Sequence, residues 1–209
     1  WAEDGIAWLT PGDLGDHDRK MVSRGDRDIS KEGLESCSAT LLPPGSVLFS
    51  SRAPIGYVAI AADKLSTNQG FKSVRPYEMA MSHYIYWFLK YAGKRINDEA
   101  SGTTFTEVSG TDLANIPFPL PPLEEQQRIV ETVDGLMDEC DVLENKQERE
   151  RTLQVQVGTA ATEALQSADS AETLRPAWER VREHFDTVTA TTEGVDALRQ
   201  TILQLAVQG

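Results

Sequence analysis

The residues that could do chemistry are sparse. His17, His83 and His184 stand isolated and read as surface or core histidines, not as partners in a catalytic pair. Cys37 and Cys140 lie far apart, with no Cys or His at metal-ligand spacing. That argues against a zinc site or a disulfide framework and fits an intracellular compartment. The chain has no G-x-x-x-x-G-K-[ST] loop, no G-x-G-x-x-G, no H-E-x-x-H and no G-x-S-x-G. It also lacks the N/D-P-P-Y/F motif of amino-methyltransferases. The many carboxylates of the second half read as a solvated face. Asp134, Asp138 and Asp141 lie beside an apolar seam, and nothing marks them as metal ligands. No catalytic residue is assigned.

What remains is a set of polar, glycine-containing loops in the first half. Ser50-Ser51-Arg52 precedes a turn. Ser66-Thr67-Asn68-Gln69-Gly70-Phe71-Lys72 combines hydroxyls, amides, an aromatic ring and a cation, and Ser101-Gly102-Thr103-Thr104 is a further polar loop. Arg can read guanine, and Asn or Gln can read adenine, through paired hydrogen bonds in the major groove. Ser, Thr and Lys can hold phosphates. Loops are polar by default, so on composition alone the signal is weak and favours turn scaffolding. Gly56, Gly70 and Gly102 are most simply turn formers.

The elements that must position these loops fall into two compositional worlds. The chain has 209 residues, with 20 Lys+Arg against 33 Asp+Glu, a net charge of −13. Such acidity argues against coating nucleic acid by bulk charge, though not against a small reading surface. The most apolar window, Met79 to Ala92, is too short to span a membrane and carries His83 and Lys90. Residues 1–122 carry 12 basic and 15 acidic residues, a net −3, whereas 123–209 carry 8 and 18, a net −10. Nine of the ten prolines precede residue 123. Two domains are expected, 1–122 and 123–209, joined at Pro119-Leu120-Pro121-Pro122.

The first domain reads as α+β. Pro43-Pro44-Gly45 is a turn, leading to a strand over 46–50. Ala53-Pro54-Ile55-Gly56 turns the chain back into a partner strand over 57–61, and 71–74 is another strand. A helix is predicted over 77–96, from Met81, Ile85, Phe88 and Ala92 at helical spacing. Residues 116–120 form an extended exit, because each Pro pushes its predecessor out of the α region. The second domain reads as helix throughout. Pro122, Glu124 and Glu125 suit a helix start. Ile129, Val133, Leu136, Cys140 and Leu143 form a heptad seam. One helix to about Ser167, with Gly158 as its weak point, would run roughly 65 Å. A second helix is expected after Asp169, with Asp169 and Glu172 as a capping box and a stripe of Leu174, Trp178, Val181, Phe185 and Val188. A connector over 189–192 then leads to a third helix, striped by Val195, Leu198, Ile202, Leu205 and Ala206. The expectation is a helical bundle or coiled coil whose seam needs a partner helix, within the chain or from another.

Several stretches share their wording with one family. Ala7-Trp8-Leu9-Thr10-Pro11-Gly12-Asp13-Leu14, Ser51-Arg52-Ala53-Pro54-Ile55-Gly56-Tyr57-Val58-Ala59-Ile60 and Ser66-Thr67-Asn68-Gln69-Gly70-Phe71-Lys72-Ser73-Val74 resemble the target recognition domain of type I restriction–modification specificity subunits. Ile116-Pro117-Phe118-Pro119-Leu120-Pro121-Pro122-Leu123-Glu124-Glu125-Gln126-Gln127-Arg128-Ile129-Val130 resembles that family's passage into its spacer helix. Residues 198–209 resemble the helix that closes such a unit. The order and spacing match along nearly the whole chain.

The resemblance implies a mixed α/β target recognition domain followed by a long-helix spacer. It implies a subunit without chemistry of its own, which reads one half of a split site in double-stranded DNA. No cofactor is expected in this chain. Modification subunits would bring S-adenosylmethionine and methylate adenine, and restriction subunits would use ATP and Mg. A cytoplasmic location and no membrane partner are expected. Family members usually carry two recognition domains. One alone, with no strand region before Trp1, suggests a fragment or a half-subunit able to pair with a copy of itself. The residues expected near DNA are Arg52, Asn68, Gln69, Lys72, Thr103 and Thr104. Lys20, Arg24, Arg27 and Lys31 join them from the loop 16–38, where sequence reading is expected. Ile129, Val133, Leu136, Cys140, Leu143, Ile202 and Leu205 are expected to be core or partner-facing. The rival readings are a coiled-coil interaction module, an acidic DNA mimic and an enzyme active without partners.

Overall fold

A computed structural model describes residues 1–15, 19–52, 54–100 and 107–208, the side chains of 95, 97–100 and 208 apart. The chain divides into two compact units, Trp1–Asp134 and Gly135–Gly209. The first is α+β and the second helical.

In the first unit two sheets form successive layers. β1 (Ile6–Leu9) lies between β3 (Arg27–Ile29), antiparallel to it, and β6 (Leu65–Thr67), parallel to it. The second sheet runs β2-β5-β4-β7, comprising Met21–Val22, Val58–Ala61, Val47–Ser50 and Phe71–Val74. The period-2 alternation of side chains explains why β4 and β5 are apolar along their length. Leu48, Ala59 and Ala61 face a core shared with Leu9 and Leu65 of the first sheet. Val47, Phe49, Val58 and Ile60 face the opposite way, onto Ile85, Tyr86 and Leu89 of a helix. The second sheet is thus covered on both sides.

The helix, α2 (Ser82–Ala100), begins later than its apolar periodicity suggests. One 3-10 turn over Met79–Met81 precedes it, and Tyr77 is fully exposed, so the earlier residues have no core to face. The expected turns at Gly45 and Gly56 are present, both with positive φ. Gly56 sits so close to α2 that a Cβ there would lie 3.2 Å from the carbonyl carbon of Gly93. Two short helices, α1 (Lys31–Glu35) and α3 (Gly110–Ala114), are capped by Ser30 and Ser109, each accepting from a backbone N–H three residues on. The extended exit packs on α2: Tyr84 Oη donates to Pro119 O at 3.1 Å, and Phe118 meets the rings of Tyr84 and Phe88 edge-on.

The helix after the prolines, α4, runs unbroken over Leu123–Gln166, through Gly158. Pro122 O accepts the N–H groups of Glu125 and Gln126, so Pro122 sits just outside the first turn. In the second unit α5 (Ala171–Glu183), α6 (Phe185–Val188) and α7 (Thr192–Gln208) pack with the end of α4 around Leu165, Ala177, Val181, Val188 and Leu198. Two expectations are corrected here. The cap of α5 is Ser170 with Thr173, not Asp169 with Glu172, because the helix starts one residue later. The expected single helix over 174–188 breaks at His184 (φ −108°, ψ 26°), leaving Trp178 and Phe185 exposed while Val181 and Val188 are buried. No helix among the described residues is long and apolar enough to cross a membrane.

Candidate nucleic-acid interface

The β6–β7 loop is tied down at almost every residue. Ser66 is buried and its hydroxyl donates to Thr40 O at 3.0 Å. Asn68 N–H donates to Leu9 O, and Asn68 Oδ1 accepts from Gly70 N–H at 2.9 Å. Gly70 O accepts from both the amide and the hydroxyl of Ser51. A Cβ at Gly70 would sit 2.8 Å from Pro11 Cγ, so only glycine fits this close approach. Phe71 is buried in the core between the sheets. Gln69 is the exception: its side chain is exposed, with no hydrogen-bond partner among the described residues. It borders an open polar cavity of about 200 Å³ together with Trp8, Ser38, Thr40, Thr67 and Asn68. The fold therefore brings the end of the loop 16–38 to the β6–β7 loop, a juxtaposition invisible in the sequence.

Beside this loop, two cations share one carboxylate. Glu107 Oε2 lies 3.1 Å from Arg52 Nε, and its Oε1 lies 3.3 Å from Lys72 Nζ. Hydrogen bonds from Lys72 and then Arg52 hold the Glu107 carboxyl below its usual range. Glu107 is also fixed by its backbone, through a bridge to Arg52 and the Val108 N–H donating to Ser51 O at 2.8 Å. The cluster carries a net charge of +1.

The remaining cations expected near DNA have partners too. Arg24 pairs with the buried Asp28 at 2.9 Å, and Lys31 reaches Glu35 at 4.0 Å. The Arg27 guanidinium sits 4.4 Å from the centroid of the Trp1 ring. Lys20 Nζ turns to Asp134, 2.6 Å from one carboxylate oxygen and 2.9 Å from the other. Thr103, Thr104 and residues 16–18 of the loop 16–38 lie outside the described residues. Among the described residues no group of His, Cys, Asp and Glu could hold a metal ion.

Along the seam, Ile129 and Val133 are half-buried, whereas Leu136, Cys140 and Leu143 are exposed. Ile202 is exposed and Leu205 packs against the core of the second unit. Sequence reasoning passed over Glu107, Gln126 and Trp87. Gln126 is buried, its Nε2 donating to Pro121 O at 2.8 Å, and a glutamine in the first turn after a proline run was the one signal for it. The sequence marks Asp134 only as a carboxylate beside the seam.

Residues 1–151 match the family model for the type I restriction modification DNA specificity domain. The chain is 40% identical over 156 residues to the type I restriction enzyme MjaIX specificity subunit of Methanocaldococcus jannaschii, covering 74% of this chain and 35% of that protein. It is 43% identical over 95 residues to the EcoAI specificity subunit of Escherichia coli, covering 46% of this chain and 16% of that one. It thus spans about a third or less of these curated relatives. A chain from a type I R-M system, solved for its complex assembly and conformational transition, matches with TM-score 0.56 and 27% identity over 69% of this chain and 34% of that one. The HsdS subunit from Thermoanaerobacter tengcongensis matches with TM-score 0.54 over 88% of this chain and 38% of that one; at 22% identity that likeness shows the fold.

Proposed function

Because the chain belongs to the family of type I restriction–modification DNA specificity domains, we propose that it reads one half of a split site in double-stranded DNA for a multisubunit adenine methyltransferase. The observation that carries this reading is the β6–β7 loop. It is anchored through Ser66, Asn68, Gly70 and Phe71, and it presents the amide of Gln69 at the mouth of a polar cavity. A rigid loop that holds out one free amide suits paired hydrogen bonding to a base edge, since little side-chain freedom is lost elsewhere on binding. Arg52 and Lys72, held in register by Glu107, supply the phosphate-facing charge.

In this reading the chain performs recognition and leaves the chemistry to its partners. Modification subunits bring S-adenosylmethionine, and restriction subunits, where present, bring ATP and Mg. The exposed Leu136, Cys140 and Leu143 of α4 offer an apolar stripe to a partner helix, from the rest of a longer subunit or from a second copy. Work on chromosomal DNA places the complex in the cytoplasm. The test is genome-wide mapping of methylated adenine in a host with and without this gene. Loss of one split motif on deletion supports the reading and names the sequence. An unchanged methylome, with the modification gene expressed, overturns it.

A further inference from the structure

Beside β3, the edge strand of the first sheet, an exposed arginine is tied to a buried carboxylate. Arg24 Nη2 lies 2.9 Å from Asp28 Oδ2, with the arginine side chain 56% exposed and the aspartate 4%. Asp28 cannot follow a moving partner. It stands in β3 in register with Ala7 of β1, its Oδ2 accepts from Gly5 N–H at 3.0 Å, and its backbone C=O accepts from Ala2 N–H at 3.1 Å. Its Oδ1 is buried, with no hydrogen-bond partner among the described residues. Arg24 is therefore the cation that compensates this buried charge, and the pair resists separation.

The turn that follows Arg24 is fixed as well. A Cβ at Gly25 would lie 2.7 Å from Trp8 O, so the chain packs backbone to backbone there. Asp26 N–H donates to Asp13 Oδ1 at 3.0 Å, and Asp13 Oδ2 accepts from the amide and the hydroxyl of Thr10, both at 2.6 Å. Arg24, Arg27 and Trp1 border one open cavity of about 390 Å³. The Arg27 guanidinium lies over the Trp1 ring, and Trp1 meets Trp8 edge-on with centroids 6.1 Å apart. Trp8 in turn borders the cavity at whose mouth Gln69 stands. A pair of indole rings thus connects the surroundings of Arg24 to those of Gln69.

Charge separates a base reader from a phosphate holder. Attraction to phosphate needs uncompensated charge. The Arg52–Lys72–Glu107 cluster keeps a net +1, whereas Arg24 and Asp28 are neutral as a pair. What the pair keeps is geometry. A guanidinium has five N–H donors in a planar fork, and the contact to Asp28 uses Nη2 alone. The remaining donors can meet two acceptors side by side. In the major groove guanine offers N7 and O6 in that arrangement, and no other base presents two adjacent acceptors there. Anchoring by a buried carboxylate removes side-chain freedom before binding, which favours a directional contact.

We infer that Arg24 is a specificity-determining residue that reads a guanine of the half-site, and that Asp28 positions it. This rests on the reading under Proposed function.

The experiment uses the assembled methyltransferase and a labelled duplex carrying the mapped split site. Each guanine is replaced in turn by 7-deazaguanine, which keeps base pairing but lacks the N7 acceptor. Wild type should lose about tenfold in affinity at one or more positions. Arg24→Ala should lose about tenfold or more on the unmodified duplex and nothing further at one of those positions, the signature of a single shared contact. Arg24→Ala combined with Asp28→Asn removes both charges and should show the same pattern without an uncompensated buried carboxylate. Asp28→Asn alone keeps an acceptor for Gly5 N–H. It should weaken the preference for guanine at that position and steepen the slope of log K against log salt by about 0.9, because Arg24 is released toward phosphates. A purely structural pair would cost these variants stability and leave the 7-deazaguanine profile and the salt slope unmoved. That result, or a site in which no guanine is sensitive, overturns the role of Arg24 and leaves the function standing. A wild-type complex that methylates no split site overturns the function, and this inference with it.

Discussion

Glu107 restrains two cations that a DNA phosphate would otherwise attract, and removing its charge should be visible in the salt dependence of binding. Glu107→Gln keeps the shape and the backbone bridge to Arg52, and the Val108-to-Ser51 hydrogen bond does not involve its side chain. The cluster then changes from net +1 to net +2. Each phosphate neutralised by a protein cation contributes about 0.9 to the slope of log K against log salt. Freeing one cation should therefore steepen the slope by about 0.9. Between 50 and 200 mM salt that is an extra loss of about 3.5-fold in affinity, with tighter binding at the low-salt end. Arg52→Ala with Lys72→Ala, in the presence of Glu107, should make the slope shallower by about the same amount, because the carboxylate already offsets one of the two charges. The assay is fluorescence anisotropy of a labelled duplex carrying the mapped site, titrated with the assembled methyltransferase across a potassium chloride series. A slope for Glu107→Gln equal to that of wild type, with the fold intact by circular dichroism, would show that Glu107 holds neither Arg52 nor Lys72 back from a phosphate.

Gln69→Ala should relax the methylated motif at one base position, losing the ~1–3 kcal/mol of discrimination typical of a paired amide–base contact; a motif that keeps full stringency at every position refutes base reading by Gln69. Gly56→Ala should lower the unfolding midpoint by more than about 1 kcal/mol in equivalent free energy, since φ is +96° and the new methyl would crowd Gly93; chemical denaturation reads this directly. Leu165→Ala, at a fully buried position, should destabilise the helical second unit by about 2–5 kcal/mol, seen as a lower denaturation midpoint of the helical signal. Burial works to raise the Asp134 carboxyl, but hydrogen bonds from Lys20 and Trp87 bring it below the usual 3.8. Its stabilising effect is therefore present above that value and lost as pH falls through the lower folded one. The Tm gap between wild type and Asp134→Asn should be constant near neutrality and close in the acid range; a gap unchanged at pH 3 contradicts this.

Legibility followed the range of the interactions. β4, β5 and β7 could be read from the chain because each is a short run rich in apolar and β-branched or aromatic residues, between turns that glycine and proline announce. β2, β3 and β6 have two or three residues each and exist because neighbours pair with them, so Arg27-Asp28-Ile29 carries no strand signal of its own. The start of α2 moved because helical periodicity continues past the point where the core ends. In the candidate site, the loop residues could be picked out by type, but their partners could not. Lys72 meets Glu107 across 35 residues and Lys20 meets Asp134 across 114. No local pattern encodes such pairs. The capping residue of α5 failed for a smaller reason: Asp169 and Ser170 are both good caps, and a shift of one residue decides between them.

The pairing also changes what the charge of the first half means. A net −3 over residues 1–122 suggested a nearly neutral surface that could read DNA while borrowing attraction from elsewhere. The structure shows how that near-neutrality is arranged. Arg24, Lys31, Arg52 and Lys72 each lie within 4.0 Å of a carboxylate, Lys20 is clamped to Asp134, and Arg27 sits on a tryptophan ring. A phosphate approaching Arg52 or Lys72 must compete with Glu107 at its own distance, so each contact gains only the difference between two anions. Competition of that kind weakens binding to arbitrary DNA most, because there the phosphate is the whole attraction. On the proposed reading, base-edge bonds from the anchored loop would add to it at a matching site. On that reading, internal pairing of cations would raise the ratio of specific to non-specific binding while lowering both, as suits a subunit that would bind DNA as part of a larger assembly.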